Sequence, residues 1–318
     1  MAELRESGWS GLRVAKFPAV LALAVLLFSD VVTDSWALLQ GLWWVPRLLL
    51  ALPALLWLIG LFLFARLLRR DKVESRRLLR WMALALLFVV VHLFRVWGFP
   101  AERRADSLRL VHWNACFISE SEAVEAVNRI LALDADVIIL TDAGAPTLGV
   151  GVQRFGAAGY QIDSPGRFTV LSRLPVVEAR PLIASRSRFV SRVQLLTPKG
   201  DLSIEAVDLP SMPSLPRAIT VRSLVADLAQ VRSSLPDVLV GDFNITRGSA
   251  SLSALAPDAH EAFATAGTGW GGSFPRAWPL WPIDLTLVRS PWQAVRSQIV
   301  DFGFGRHRVQ IVDLQHRP

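Results

Sequence analysis

The chain has 318 residues, enough for one large domain with an appendage or for two small ones, and its 52% hydrophobic content is high for a wholly water-soluble protein. A single cysteine, Cys116, excludes an intrachain disulfide and a cysteine-based zinc site. The net charge of +7 is mostly N-terminal: residues 1–100 carry twelve Lys/Arg against six Asp/Glu, and residues 101–318 carry twenty-two against twenty-one, so the larger part lacks the basic balance of a nucleic-acid-binding domain.

In chain order, three apolar runs come first. Residues 14–32, 48–68 and 80–97 are expected as membrane spans, since about twenty apolar residues cross a bilayer core. The second is the longest, with Arg66 as its only charge; the first is the shortest and either spans or lies in the interface. Between the second and third, Arg66, Arg69, Arg70, Lys72, Arg76, Arg77 and Arg80 make a strongly basic loop. The positive-inside rule puts that loop in the cytoplasm and everything after Trp97 on the opposite side. His92, inside the third run, reads as a helix-packing histidine rather than a functional one. Residues 1–98 thus form a membrane region of two to three helices, 99–107 a linker, and 108–318 a separate domain.

That domain begins with an alternating stretch, 108–113, stopping at Asn114. An amphipathic helix is expected over 121–133, with Ala123, Val124, Val127, Ile130 and Leu131 on one face. Residues 136–140 form a buried strand ending at Thr141-Asp142, and together these make a unit of βαβ length. Short strands follow at 169–171, 189–196 and 202–207, with a turn over 172–176, a hairpin turn at 199–201, and Asp208 closing the third strand. After a proline-rich loop comes a helix over 218–231, then the apolar run Val238-Leu239-Val240 that breaks into Gly241-Asp242-Phe243-Asn244. A short helix is expected over 249–255, strands at 283–288, 295–300 and 309–314, and His307 at the start of the last strand. Trp270, Trp278, Trp281 and Trp292 lie in or beyond an aromatic, proline-rich loop where packing and membrane-interface roles are both open.

Five strands therefore carry a polar residue at one end: Asn114, Asp142, Asp208, Asp242 with Asn244, and Asp284. Carboxylates and amides without a soft ligand suit a hard divalent cation and phosphate oxygens. Five such ends and a histidine are more than turn chemistry alone explains.

On VHWNA at 111–115, DVIILTD at 136–142, SRLPV at 172–176, VLVGDFN at 238–244 and PIDLTLV at 282–288, the chain resembles the endonuclease/exonuclease/phosphatase superfamily. The helices before the domain make it similar to a membrane-anchored bacterial branch. The resemblance implies an α/β fold, a four-layer sandwich of two packed mixed sheets flanked by helices. It also implies a hydrolase of phosphoester bonds, nuclease or phosphatase in type, using magnesium or manganese.

On that resemblance Asn114 and Asp142 hold the metal, Asp242 orients or deprotonates the attacking water, and Asn244 binds the phosphate. His307 binds the phosphate as well, with Asp284 fixing its tautomer. Three positions depart from the family pattern. Asp142 stands where the family has a glutamate, Asp208 where it has a histidine, and Arg306 where it has an aspartate. Arg306 and Arg308 are candidates to clamp an anionic substrate, and Asp208 lies beside the same phosphate. The expected partners are a phosphate ester (phospholipid head group, nucleic acid or sugar phosphate) and the bilayer. The alternative is a catalytically degenerate member acting as a membrane-bound binding or structural protein.

Overall fold

The computed structural model describes residues 14–67, 72–96, 101–144 and 149–317. The chain divides into two compact units, Met1–Trp97 and Gly98–Pro318.

In the first unit, helix α1 spans Phe17–Val32, α2 Gln40–Trp43, α3 Arg47–Leu67 and α4 Lys72–Val96. Two stretches, Arg47–Leu67 and Ser75–Phe94, are long and apolar enough to cross a membrane, with mean hydropathies of 2.6 and 1.9. The 16 residues of α1 reach about 24 Å at 1.5 Å per residue, short of a bilayer core of about 30 Å. The helices pack through small and branched residues: Ala19, Leu23, Ala51, Leu58, Ala85 and Val89 are buried together. Alanine at these positions lets helix backbones approach closely. Leu56, Leu63, Phe64 and Phe94 face outward. His92 stacks on Phe88 with ring centroids 4.4 Å apart and engages its carbonyl at 2.9 Å, which is the packing role expected of it. Arg69, Arg70 and the span ends at Leu68 and Trp97 lie outside the described residues.

The second unit is a sandwich of two six-stranded mixed sheets. One runs β11–β12–β1–β2–β4–β3, and the other β5–β6–β7–β8–β10–β9. Strand bounds in the first sheet are β1 Leu108–Asn114, β2 Val137–Thr141, β3 Gln161–Asp163, β4 Phe168–Ser172, β11 Trp292–Val300 and β12 Val309–His316. In the second they are β5 Val176–Ala184, β6 Phe189–Thr197, β7 Gly200–Asp208, β8 Val238–Asp242, β9 His260–Glu261 and β10 Asp284–Val288. Each sheet holds one parallel pair at its centre, β1 with β2 and β7 with β8. Helices α5 (Glu120–Leu131) and α6 (Val150–Ala157) cover the first sheet, and α7 (Arg217–Val231) and α8 (Ala250–Leu255) the second. A short α9, Ala262–Ala266, follows β9.

The two-residue period of a strand sorts the side chains into layers. Leu110, Val137, Ile139, Ile204, Ala206, Val238 and Val240 fill the space between the sheets. Their odd-step neighbours Val111, Trp113, Ile138 and Leu140 pack under α5 and α6, and Val207, Leu239 and Leu287 under α7 and α8. Continuing the inward parity brings Asn114, Thr141, Asp208 and Asp242 to the same end of the sandwich interior. There the core changes from aliphatic to polar, and buried Thr286 donates to Gln310 Oε1 at 2.8 Å across the sandwich.

Gly241 makes one of these registers possible. It pairs with Val207 at φ +152°, and a Cβ there would lie 1.9 Å from the Val207 carbonyl oxygen. The expected turn over 172–176 is shorter than read, because Val176 already begins β5. Strands β3, β5 and β9 and helix α6 carry too little apolar alternation to stand out in the sequence; β5 is half-exposed along most of its length and contains Pro181.

Candidate active site

Three acidic residues form a row across the second sheet. Asp208 pairs in register with Asp242, and Asp242 with Asp284, on β7, β8 and β10. Because β10 runs antiparallel to β8, Asp284 begins its strand rather than ending it. Asn114, at the end of β1 in the other sheet, donates from Nδ2 to Asp242 Oδ2 at 3.0 Å and closes the cleft from that side. Its Oδ1 accepts from Cys116 N at 3.2 Å. Asp242 Oδ1 accepts from Asn244 N at 3.0 Å, and Asn244 Nδ2 donates to Leu209 O at 2.8 Å. Asn244 sits at φ +49°, a left-handed conformation that asparagine tolerates, which turns the chain sharply after the strand.

His307 arrives from the loop before β12. Its Nδ1 lies 2.8 Å from Asp284 Oδ2 and its Nε2 3.8 Å from Asp242 Oδ2. Phe274 covers the imidazole, ring centroids 4.8 Å apart. Ser273 Oγ accepts from the backbone N of Asp284 at 3.1 Å and steadies the start of β10. The structure brings Asn114, Asp208, Asp242, Asn244, Asp284 and His307 together.

Burial and charge set the protonation of this group. Burial in the company of Asp284 pushes Asp242 up to about 8. Burial also lifts Asp208 to about 7, although Arg167 opposes the shift. For His307, burial alone would favour the neutral ring, but Asp284 outweighs it and holds the imidazolium up to about 9. Asp284 is buried too, yet the facing imidazolium lowers it below the usual carboxylate range. The site thus pairs an ionised Asp284 with a charged His307 beside an Asp242 poised near neutrality.

Asp142 is placed differently. Its backbone N donates to Arg167 O at 3.3 Å, its φ is +49°, and its carboxylate is held by the Arg167 guanidinium. The same guanidinium reaches Asp208 Oδ2 through Nε at 2.9 Å. Arg306 is exposed, with its guanidinium 3.9 Å over the Phe117 ring. Arg308 turns away: its Nε donates to Arg276 O at 3.0 Å and its Nη2 lies 3.7 Å from Asp301 Oδ2. The geometry does not bring Arg308 to the other residues.

Arg167 and His112 were missed by sequence reasoning. Arg167 stands just before β4, whose first residue, Phe168, pairs with Thr141 at the end of β2. Knowing that antiparallel register would have placed it. His112 occupies an inward position two residues before Asn114, with Nε2 3.1 Å from Thr141 Oγ1 and Nδ1 3.8 Å from Asp284 Oδ1. Burial keeps it neutral, down to about 4. The only sequence signal for it was the strand alternation.

A family model described as "Endonuclease/Exonuclease/phosphatase family" matches residues 111–305. Among solved structures, the human nocturnin catalytic domain is 13% identical at a TM-score of 0.55, covering 69% of this chain and 100% of its own. An endonuclease/exonuclease/phosphatase protein from Bacteroides vulgatus is 16% identical at 0.51, covering 66% and 99%. A mannosyl-6-phosphatase from Bacteroides thetaiotaomicron is 13% identical at 0.50, covering 66% and 100%. At these identities the likeness concerns the fold. Among curated proteins none matches the chain.

Proposed function

Since this chain belongs to the endonuclease/exonuclease/phosphatase family, we propose that it is a metal-dependent phosphoesterase, anchored by its N-terminal helices with the catalytic domain on the extracytoplasmic side. Membership implies hydrolysis of a phosphoester bond; the anchor, its orientation, the site residues and the metal are our reading. The observation that carries it is Asp242, held between Asn114 Nδ2 at 3.0 Å and Asn244 N at 3.0 Å, with His307 Nε2 at 3.8 Å.

The donor set fits a hard divalent ion. Carboxylate oxygens of Asp242 and Asp284 lie within 4.8 Å of one another, and Asp284 Oδ1 is buried without a hydrogen-bond partner among the described residues; the charged His307 beside them offers no lone pair to the ion. Asn114 and Asp142 add oxygen donors from the facing sheet, and such a set suits magnesium or manganese. When bound, the ion polarises the phosphoryl oxygen and offsets charge developing on it.

The side chains do the rest. Burial makes the Asp242 carboxylate more basic, and its ionised form, populated at about pH 8 and above, is suited to take a proton from the attacking water. Asn114 fixes the orientation of that carboxylate. Asn244 spends one amide hydrogen on Leu209 O and keeps the other for a phosphate oxygen. His307, charged and aimed by Asp284, neutralises the phosphoryl group or protonates the leaving oxygen. Arg306, with its guanidinium over the Phe117 ring, is available to an anionic substrate at the rim.

The test is hydrolysis by the purified protein with magnesium or manganese on phospholipid, nucleic-acid and sugar-phosphate substrates. Asp242→Ala should abolish it; failure to cleave any of the three classes would sink the reading. A second reading, a degenerate member that binds without turnover, draws on the Arg167 guanidinium already engaging Asp142. Phosphate binding with no turnover in the same assays would favour it.

A further inference from the structure

Arg167 ties the two sheets together at the mouth of the cleft. Asp142 follows β2 in one sheet, and Asp208 ends β7 in the other. One guanidinium pairs with both, through Nη2 to Asp142 Oδ2 and through Nε to Asp208 Oδ2. Two further features hold it there. Its carbonyl accepts from Asp142 N at 3.3 Å, and its guanidinium carbon lies 4.8 Å from the centre of the Phe189 ring. The pairing of Phe168 with Thr141 sets the backbone position, so the bridge is built into the strand register.

The chemistry is competitive. A planar guanidinium presents separate N–H edges and can satisfy two carboxylates at once, which a compact cation cannot do in the same way. A hard divalent ion uses the same carboxylate oxygens. Guanidinium and ion repel each other, so both cannot hold the Asp142 carboxylate at full strength. The Arg167 side chain is 37% exposed, which leaves it a path outward.

We propose that Arg167 is a positioning residue that serves as an internal counter-cation for Asp142 and Asp208, and that a divalent ion gains Asp142 only by displacing it. Arg167 thereby sets the metal affinity of the cleft. The inference rests on the metal-dependent reading above and adds to it a residue of this chain that weakens ion binding. In the closed state the bridge joins β2 to β7; with the ion bound, the guanidinium swings to solvent and Asp142 turns to the ion.

The experiment is manganese binding to the full-length protein in detergent, stripped with chelator, with free Mn²⁺ followed by electron paramagnetic resonance. It needs no turnover. Arg167→Gln should bind Mn²⁺ about tenfold more tightly than the unaltered chain. Arg167→Lys, which keeps a charge but loses the fork, should fall between them. Asp142→Asn in the Arg167→Gln background should erase the gain. If Arg167→Gln does not fold, the Lys variant against its own Asp142→Asn partner carries the comparison. Equal affinity with and without the Arg167 substitution, or a gain that survives Asp142→Asn, overturns the proposal and leaves the metal-dependent reading standing. Absence of Mn²⁺ binding in every variant overturns both.

Discussion

His307 Nδ1 and Asp284 Oδ2 meet at 2.8 Å in a buried corner of the cleft, and each sets the charge of the other. The carboxylate fixes the proton on Nδ1, so Nε2 faces Asp242 and any bound phosphate. The ring's own proton position follows from this hydrogen bond rather than from the loop that carries it.

Replacing Asp284 with Asn should therefore lower the titration point of His307 from about 9, because burial remains and the charge opposing it is gone. Hydrolysis should fall by roughly 10²- to 10⁴-fold, the scale of a lost acid–base partner. The sign of the stability effect is fixed. A histidine whose folded value exceeds its unfolded value of about 6.5 stabilises fully below that pH, and the contribution is lost as pH rises through about 9. The penalty of Asp284→Asn should accordingly be largest at and just below about pH 6.5, fall as the pH rises, and be lost above about pH 9. NMR titration of His307 and melting curves at both ends of the range check it.

Asp242→Asn keeps the shape of the side chain and removes its capacity to take a proton. Activity should drop by about 10²- to 10⁴-fold with the fold retained, since the single amide oxygen still accepts from Asn244 N and only Asn114 Nδ2 loses its acceptor. Asn114→Ala should be milder, because it frees Asp242 without deleting it. A ranking of initial rates on one phosphoester distinguishes the two; a milder Asp242→Asn would remove Asp242 from the role of base.

The fold was legible wherever burial wrote itself into the pattern. The buried strands β1, β2, β8 and β10 are alternating or apolar stretches with a polar residue at one end, and Asn114, Asp242 and Asp284 stand at those ends. β5 and α6 were not legible, because half-exposed elements, β5 being also an edge strand, need no apolar period. The Arg167 bridge was hidden for another reason. A charge before a strand is ordinary until the strand's partner is known, and only the register of β4 against β2 sets it beside Asp142. Arg308 shows the reverse: its closeness to His307 in sequence promised a role, but the loop turns it toward Asp301.

Asp208 offers a test of the electrostatics that does not involve turnover. Its value is lifted to about 7 chiefly by burial, despite Arg167. Ionising it in the folded protein is therefore unfavourable: the cost is absent below its unfolded value of about 3.9, and complete above about 7. Asp208→Asn, measured with chelator present, should melt several degrees higher than the unaltered chain at pH 9, at about 2–4 °C per kcal/mol. The advantage should vanish near pH 4. A variant that is less stable at pH 9 would mean that the Arg167 bridge outweighs burial.

Gly241 carries the backbone of the site. A methyl group there would meet the Val207 carbonyl oxygen at 1.9 Å, a backbone atom that cannot move without breaking the β7–β8 pairing. Gly241→Ala should destabilise the domain by about 2–4 kcal/mol, through strain at an unusual φ and a spoiled ladder. Chemical denaturation measures the loss. Activity should fall even in protein that remains folded, because the shift displaces Asp242, the next residue.

The orientation of the domain can be read with cysteine chemistry that this chain makes clean. Its only cysteine, Cys116, is partly buried, and burial pushes its thiol up to about 12, so it holds little thiolate at neutral pH. Ser187, on an exposed turn between β5 and β6, is a suitable reporter position. On the topology proposed above, the seven basic residues between positions 66 and 80 lie in the cytoplasm and one further span carries Ser187 to the other side. Ser187→Cys should thus react with a membrane-impermeant maleimide in intact cells, while the unaltered chain stays unlabelled. Labelling only after the membrane is opened would reverse the assigned side and move the substrate pool to the cytoplasm.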